Sequence, residues 1–266
     1  MNASVAMIPY ANMAPYRQLP PPEDCRFVSL VPRASIRALM DGSVVAAAVP
    51  VGGLARLADQ VEMVGRFGIA AKGPVLSVLL FSQVPFEKMQ APHTLRLTSE
   101  SATSVRLLYL LLGHSVGFDK LPRIVTKDTP ADGELLIGDR ALVKNMAAAS
   151  QGVWPHRTDL SQRWFALHRR PFVFARWVVR KDAPVRIKEQ IADWLDRFKE
   201  KEDQLVAQAI SGSAQRLQLE EAVIQRYFQV IRRSLDEEDL QGQQLFVRQL
   251  ERFGREPLFQ SATTAN

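Results

Sequence analysis

Residues 99–104, Ser-Glu-Ser-Ala-Thr-Ser, place a cluster of hydroxyls immediately before the apolar run at 105–112. That spacing marks the start of a helix. Thr103 or Ser104 can serve as its N-cap, and Ser101, Thr103 and Ser104 with the unpaired backbone N–H groups can hold a carboxylate. Plain capping and anion binding both fit these residues. Asn12 stands three residues before Pro15 in IPYANMAPY, just past an apolar run. Open α/β sheets place ligands in such loops, although an Asn there can equally satisfy a turn. Ser77 opens the apolar run of GPVLSVLL, where it can meet a ligand or its own backbone. Asp139 follows another strand-like run in LIGDRAL and either caps the next helix or faces a ligand.

Other chemistries find no residues to run on. There is no GxxxxGK[ST] phosphate loop, no HExxH and no GxSxG elbow, and Gly52-Gly53 lacks the third glycine of a dinucleotide fingerprint. His93, His114, His156 and His168 show no metal-ligand spacing. The single cysteine, Cys25, forms neither an internal disulfide nor a thiolate metal site, which fits a reducing compartment. The first 25 residues lack the basic, apolar and small-residue regions of a secretory signal, so a cytoplasmic location is expected.

The apolar runs at 74–81 and 107–112 are far shorter than the roughly 20 residues of a membrane span. No membrane partner is expected. The net charge of +6 raises the question of nucleic acid. The basic residues are interspersed with acids, as in RIKEQIADWLDRFKEKEDQ, without the interleaved aromatics of a stacking platform, so no nucleic-acid partner is expected. Nothing in the sequence fixes an oligomeric state.

The elements that must position these residues follow from periodicity. With 47% apolar residues over 266 positions, the chain can bury one large core or two lobes of ordinary size. Strand patterns fall near 4–9, 26–31, 44–49, 61–67, 75–82, 94–98 and 135–138. Arg33 to Met40 reads as a helix ended by Asp41-Gly42, and 53–59 as a short second one. This alternation predicts stacked α/β layers. Two prolines within 83–93 suggest a crossing between lobes. The strand-like FVFARWVVR, 172–180, follows an irregular stretch at 150–171 and provides the return.

From 184 onward helices take over. Ile187, Ile191, Trp194, Leu195 and Phe198 form one stripe, and Leu217, Ile224, Phe228, Ile231 and Leu235 a second. Leu240, Phe246, Leu250 and Phe253 form a looser third. These are read as packing faces.

Six segments in this order, IPYANMAP, DGSVVAAAVPVGGL, GPVLSVLLFSQVP, TSESATSVRLLYLLL, LLIGDRAL and RRPFVFARWVVR, resemble the chorismate dehydratases of the futalosine route to menaquinone. The resemblance covers about residues 4–180, and the C-terminal helices match only in character. It implies an α/β fold like the type II periplasmic binding proteins, with two lobes, a ligand cleft between them and C-terminal helices. The first lobe would hold 1–86 completed by 178–266, and the second 87–177. The implied reaction removes water from chorismate to give 3-[(1-carboxyvinyl)oxy]benzoate, a lyase step that demands no metal or organic cofactor. The alternative is a non-catalytic cytoplasmic binding or sensor protein for a small organic anion.

Carried over residue by residue, Asn12 and Ser77 match the family's Asn after the first strand and the serine of its Gly-Pro-x-x-Ser segment. Ser101, Thr103 and Ser104 would then receive a substrate carboxylate. The C3 proton would go to the substrate's own enolpyruvyl carboxylate or to Asp139. Val45 stands where the family often has an acidic residue. His168-Arg169-Arg170 replaces the small Thr-Gly-Leu type of segment before Pro171. Its arginines either grip a carboxylate bidentately or point into solvent. Arg176 shares a strand face with Phe172 and Phe174 where the family is more often apolar, which suggests a strand end with a salt bridge.

Overall fold

Small and β-branched residues set the first sheet. In the computed structural model, which describes residues 2–147, 154–254 and 258–261, β1 (Ala3–Met7) and β2 (Cys25–Ser29) pair in parallel. Helix α1 (Pro32–Met40) has its proline in the first turn, where a missing N–H costs nothing. It leads to β3 (Ala46–Pro50), which is buried throughout and carries three alanines. That smooth surface lets α1 seat Ile36 and Leu39 against Ala47 and Val49. A 3-10 turn, Val51–Leu57, precedes β4 (Val61–Ala71), a longer strand than the 61–67 read from the sequence.

The next strands build a separate sheet. β5 (Val78–Ser82) is buried along its length, β6 (Thr94–Arg96) leads into α2 (Ala102–Val116), and β7 (Arg123–Ile124) lies at an edge. β8 (Gly133–Ile137) runs directly into α3 (Gly138–Ala147) through Gly138, whose φ of 59° only glycine adopts freely. β9 (His156–Asp159) and α4 (Leu160–His168) occupy most of the stretch read as irregular. Strand alternation in HRTD is too short and too polar to register as a strand. The order in this sheet is β7-β6-β8-β5-β9.

β10 (Phe172–Arg180) returns to the first sheet, antiparallel to β3. Helices α5 (Val185–Glu200), α6 (Glu202–Leu217) and α7 (Glu221–Val230) follow, then β11 (Arg232–Ser234) and α8 (Glu237–Phe253). The first sheet has the order β11-β4-β10-β3-β1-β2. The α5 stripe is as expected, with Ile187, Ile191, Trp194, Leu195 and Phe198 all buried. Each such side chain contributes about 2 kcal/mol on burial. The second stripe is not one helix. Leu217 ends α6, Ile224 and Phe228 lie on α7, and Ile231 and Leu235 flank β11, so apolar residues of three elements mimic one period.

The chain divides into two units, Met1–Ala71 with Val173–Leu240 and Lys72–Phe172 with Gln241–Asn266. This differs from the lobes 1–86 with 178–266 and 87–177 in two physical respects. The strand at Val78–Ser82 pairs with β8 and β9, so the first unit ends before it. The later part of α8 goes with the second unit, because Phe246 packs edge-on to Trp164 and Phe172 while Phe253 stacks on Phe118. Among the described residues, no helix is long and apolar enough to cross a membrane.

Arg176 also differs from its expectation. It lies mid-strand, buried, and donates to the backbone carbonyls of Gly65 (2.9 Å) and Phe67 (3.3 Å). Burial, with Arg66 nearby, lowers its pKa. Gly68 makes room beside it, since a Cβ there would sit 2.4 Å from the Ala175 carbonyl oxygen.

Candidate functional site

In the first unit the parallel register of β1 with β2 and β3 brings the chain past Met7 to one edge of the sheet. Asn12 lies there, in the 3-10 turn Ala11–Met13, half-buried. Two anchors fix this turn. The Arg17 guanidinium donates to the carbonyls of Ile8 and, at 3.4 Å, Tyr10. Tyr16, wholly buried, stacks on Phe198 at 3.9 Å and meets Trp177 edge-on. What the anchors hold is unusual: Asn12 Oδ1 is buried and finds no hydrogen-bond partner among the described residues. A simple turn Asn would use that oxygen locally.

In the second unit the register collects several candidates at one edge. Val78 pairs with Ile137 and Leu79 with Asp159, both antiparallel, so the start of β5 lies beside the ends of β8 and β9. β6 runs parallel to β8 and ends at that edge too. The N-termini of α2, α3 and α4 therefore share one side of the sheet. Three helix starts aim partial positive charge and free N–H groups there, a natural anion seat.

Ser77 is buried at this edge, and its carbonyl accepts the Gly138 N–H at 2.8 Å. Asp139, the next residue of α3, is half-buried in the first turn. The structure thus brings Ser77 and Asp139 together. The α2 start is also here, with Ser101, Thr103 and Ser104 all buried. Its N-cap is Ser101 rather than Thr103 or Ser104. Ser101 Oγ accepts the Ser104 N–H at 3.1 Å and lies 3.0 Å from Ser104 Oγ. The helix begins two or three residues earlier than expected because two small polar residues fit its first turn.

Asp159 went unnoticed in the sequence. Its Oδ2 accepts the N–H groups of Val75 (2.9 Å) and Leu76 (2.7 Å), and its Oδ1 caps α4 through the Gln162 N–H (3.1 Å). Burial raises its pKa despite these bonds. The only local signal was an Asp before an apolar residue in TDLSQ, a helix-start pattern; the contacts 83 and 84 residues away leave none. Arg17 likewise gave no signal.

Arg169 and Arg170 are not brought to the serines. Helix α4 starts at the shared edge and runs away from it for nine residues, about 13 Å. Both arginines are exposed at its far end, and Arg170 Nη1 donates to the Arg169 carbonyl at 3.2 Å. Arg169 has φ 52° and closes the helix by donating its N–H to Phe165 O. That left-handed position is where glycine normally sits. The two arginines thus sit at a helix end.

His168 packs on Trp164 at 4.1 Å between ring centroids, and its Nε2 is buried without a partner among the described residues. Burial, reinforced by His114, lowers its pKa from 6.5 to about 4. An unfolded chain therefore takes up this proton first as pH falls. Stability from His168 is intact above pH 6.5 and is lost as pH drops toward 4. Full shielding would make this roughly 3 kcal/mol, and half-exposure cuts it to about 1.5 kcal/mol. Urea unfolding of His168→Leu between pH 7 and 4 should show a correspondingly flatter loss than the parent chain.

Among the described residues, no group of three or more His, Cys, Asp or Glu side chains is arranged to hold a metal ion. A family model described as menaquinone biosynthesis matches residues 3–252. The chain belongs to that family. A chorismate dehydratase from Thermus thermophilus is 33% identical over 264 residues, covering 91% of this chain and 92% of that protein. The chain has the periplasmic-binding-protein-like α/β fold. A protein from Archaeoglobus fulgidus superposes with TM-score 0.67 at 16% identity, covering 95% of this chain and 98% of that one. The alkanesulfonate-binding protein of Xanthomonas axonopodis pv. citri, bound to MOPS, superposes with TM-score 0.61 at 12% identity, covering 94% and 92%. At these identities the likeness concerns fold alone.

Proposed function

We propose that the chain dehydrates chorismate to 3-[(1-carboxyvinyl)oxy]benzoate, as a cytoplasmic hydro-lyase of menaquinone biosynthesis. The observation that carries this reading is the near full-length similarity to a chorismate dehydratase. The sheet-edge geometry of each unit supports it. Chorismate carries two carboxylates, and the shared start of α2, α3 and α4 favours a carboxylate electrostatically. Ser101, Thr103 and Ser104 line the first of those helix starts.

The reaction breaks the C3–H and C4–O bonds. The C3–H electron pair becomes the third ring double bond, hydroxide departs from C4, and the abstracted proton with that hydroxide makes up the one water lost. Aromatisation drives it. The residues need only orient the ring and stabilise the departing oxygen. Ser77 can hydrogen-bond a carboxylate or the leaving hydroxyl, and Asn12 can donate its amide N–H to the leaving hydroxyl or fix the ring. The C3 proton passes to a carboxylate, either Asp139 or the substrate's own enolpyruvyl group.

Incubation of the purified protein with chorismate, followed by chromatography for the enolpyruvyl benzoate, tests the reading. Turnover is expected, and Ser77→Ala should lower kcat by roughly 100-fold, the usual cost of losing one such donor. Tight chorismate binding with no product would instead establish a binding or sensor protein.

A further inference from the structure

We propose that Asp159 is a positioning residue, its half-buried carboxylate clamping the Val75–Leu76 backbone and thereby setting Ser77. This rests on the dehydratase reading only for its kinetic consequence. Leu76 has φ 65°, a left-handed conformation that costs a non-glycine residue about 1 kcal/mol. Such strain persists only where the surroundings over-determine it. Here they do. Two successive N–H groups, from Val75 and Leu76, converge on one carboxylate oxygen at 2.9 and 2.7 Å.

Consecutive backbone N–H groups of this kind form a concavity for an anion. The protein fills it with its own Asp159, from across β5 and β9. The loop is held on its carbonyl side as well, with Asn145 Nδ2 donating to Leu76 O at 3.3 Å and Gly138 N to Ser77 O at 2.8 Å. Ser77 is the next residue after the strained one, so its hydroxyl inherits whatever direction the clamp imposes. An ionised carboxylate does this where an amide cannot. Both carboxylate oxygens accept backbone N–H groups, and an isosteric Asn would have to turn an NH₂ against one set of donors.

Asp159→Asn, which preserves volume, should lower kcat about 30- to 100-fold through misplacement of Ser77, with KM changing less than about threefold because the α2 start with Ser101, Thr103 and Ser104 is untouched. Adding Leu76→Gly should recover about fivefold or more of that kcat, since glycine reaches φ 65° without a clamp. A merely structural role for Asp159 would not respond to that second change. Amide hydrogen exchange at Val75 and Leu76 should quicken about tenfold or more in Asp159→Asn as the bonds are lost.

Unchanged amide exchange, an unchanged kcat, or no recovery by Leu76→Gly would each overturn the proposal. If the parent chain does not turn over chorismate, the dehydratase reading fails while the exchange measurement still decides the clamp. Should Asp159→Asn not fold, acid titration of the parent chain replaces it. The Val75 and Leu76 amide resonances must then shift together as Asp159 protonates, and their constancy would overturn the clamp.

Discussion

Asn12→Ala lowers chorismate turnover by about 100-fold or more while leaving the melting temperature unchanged or raising it. The two halves of that result have one cause. Asn12 Oδ1 is buried without a partner among the described residues, so the ligand-free protein carries a desolvated acceptor. Such a group costs about 1–3 kcal/mol. Removing it relieves that cost and forfeits only the modest packing of a half-buried side chain. A residue that stabilised its own turn would behave in the opposite way. The turn survives the substitution because other groups hold it: Arg17 binds the Ile8 and Tyr10 carbonyls, and Tyr16 is stacked between Phe198 and the Trp177 edge. Kinetics and thermal unfolding on the same preparation check the prediction. A melting temperature several degrees lower with kcat retained would make Asn12 a structural residue and remove it from the site.

The parts of this protein visible in its sequence are those governed by near neighbours. The strand pattern at 172–180 became β10 to the residue and that at 44–49 overlaps β3, because each run is mostly buried. The α5 stripe is likewise local. The misreadings have equally specific causes. The stretch 150–171 hid β9 and α4 because His156–Asp159 is polar and pairs at the margin of its sheet. The stripe from Leu217 to Leu235 joined residues of α6, α7 and β11, since a core accepts apolar residues from any element that reaches it.

Among site residues, Asn12, Ser77, Ser101, Thr103, Ser104 and Asp139 were picked out by type and place, and the last five share one sheet edge. Arg169 and Arg170 stood out for their charge, yet they occupy a helix end whose geometry calls for glycine. Asp159 stayed hidden for a different reason. Its partners are 83 and 84 residues away, and only strand pairing brings them within reach.

Asp239→Ala is expected to be the most destabilising single change, costing about 3–5 kcal/mol, the range for breaking a buried ion pair. Asp239 is fully buried at the start of α8. Arg232 Nε donates to its two oxygens at 3.1 and 3.0 Å, and Arg232 Nη2 donates at 2.9 Å. The same carboxylate accepts the Asp236 N–H at 3.0 Å while Asp236 accepts the Asp239 N–H at 3.0 Å, a reciprocal cap of the helix start. One substitution therefore takes three of the guanidinium's hydrogen bonds, unpairs a backbone donor and frays α8. The fraying matters beyond the start, because α8 carries Phe246 to Trp164 and Phe172.

Asp236 remains beside Arg232 at 2.5 Å, so the loss should fall toward the lower end of the range. A fall in melting temperature of roughly 10 °C follows for a chain of this size. The double variant Arg232→Met with Asp239→Leu separates the contributions. Paired removal leaves no stranded charge, so it should cost clearly less than Asp239→Ala alone. If the double variant is instead the weaker protein, the pair contributes net stability, and the cost of Asp239→Ala is not that of an abandoned guanidinium.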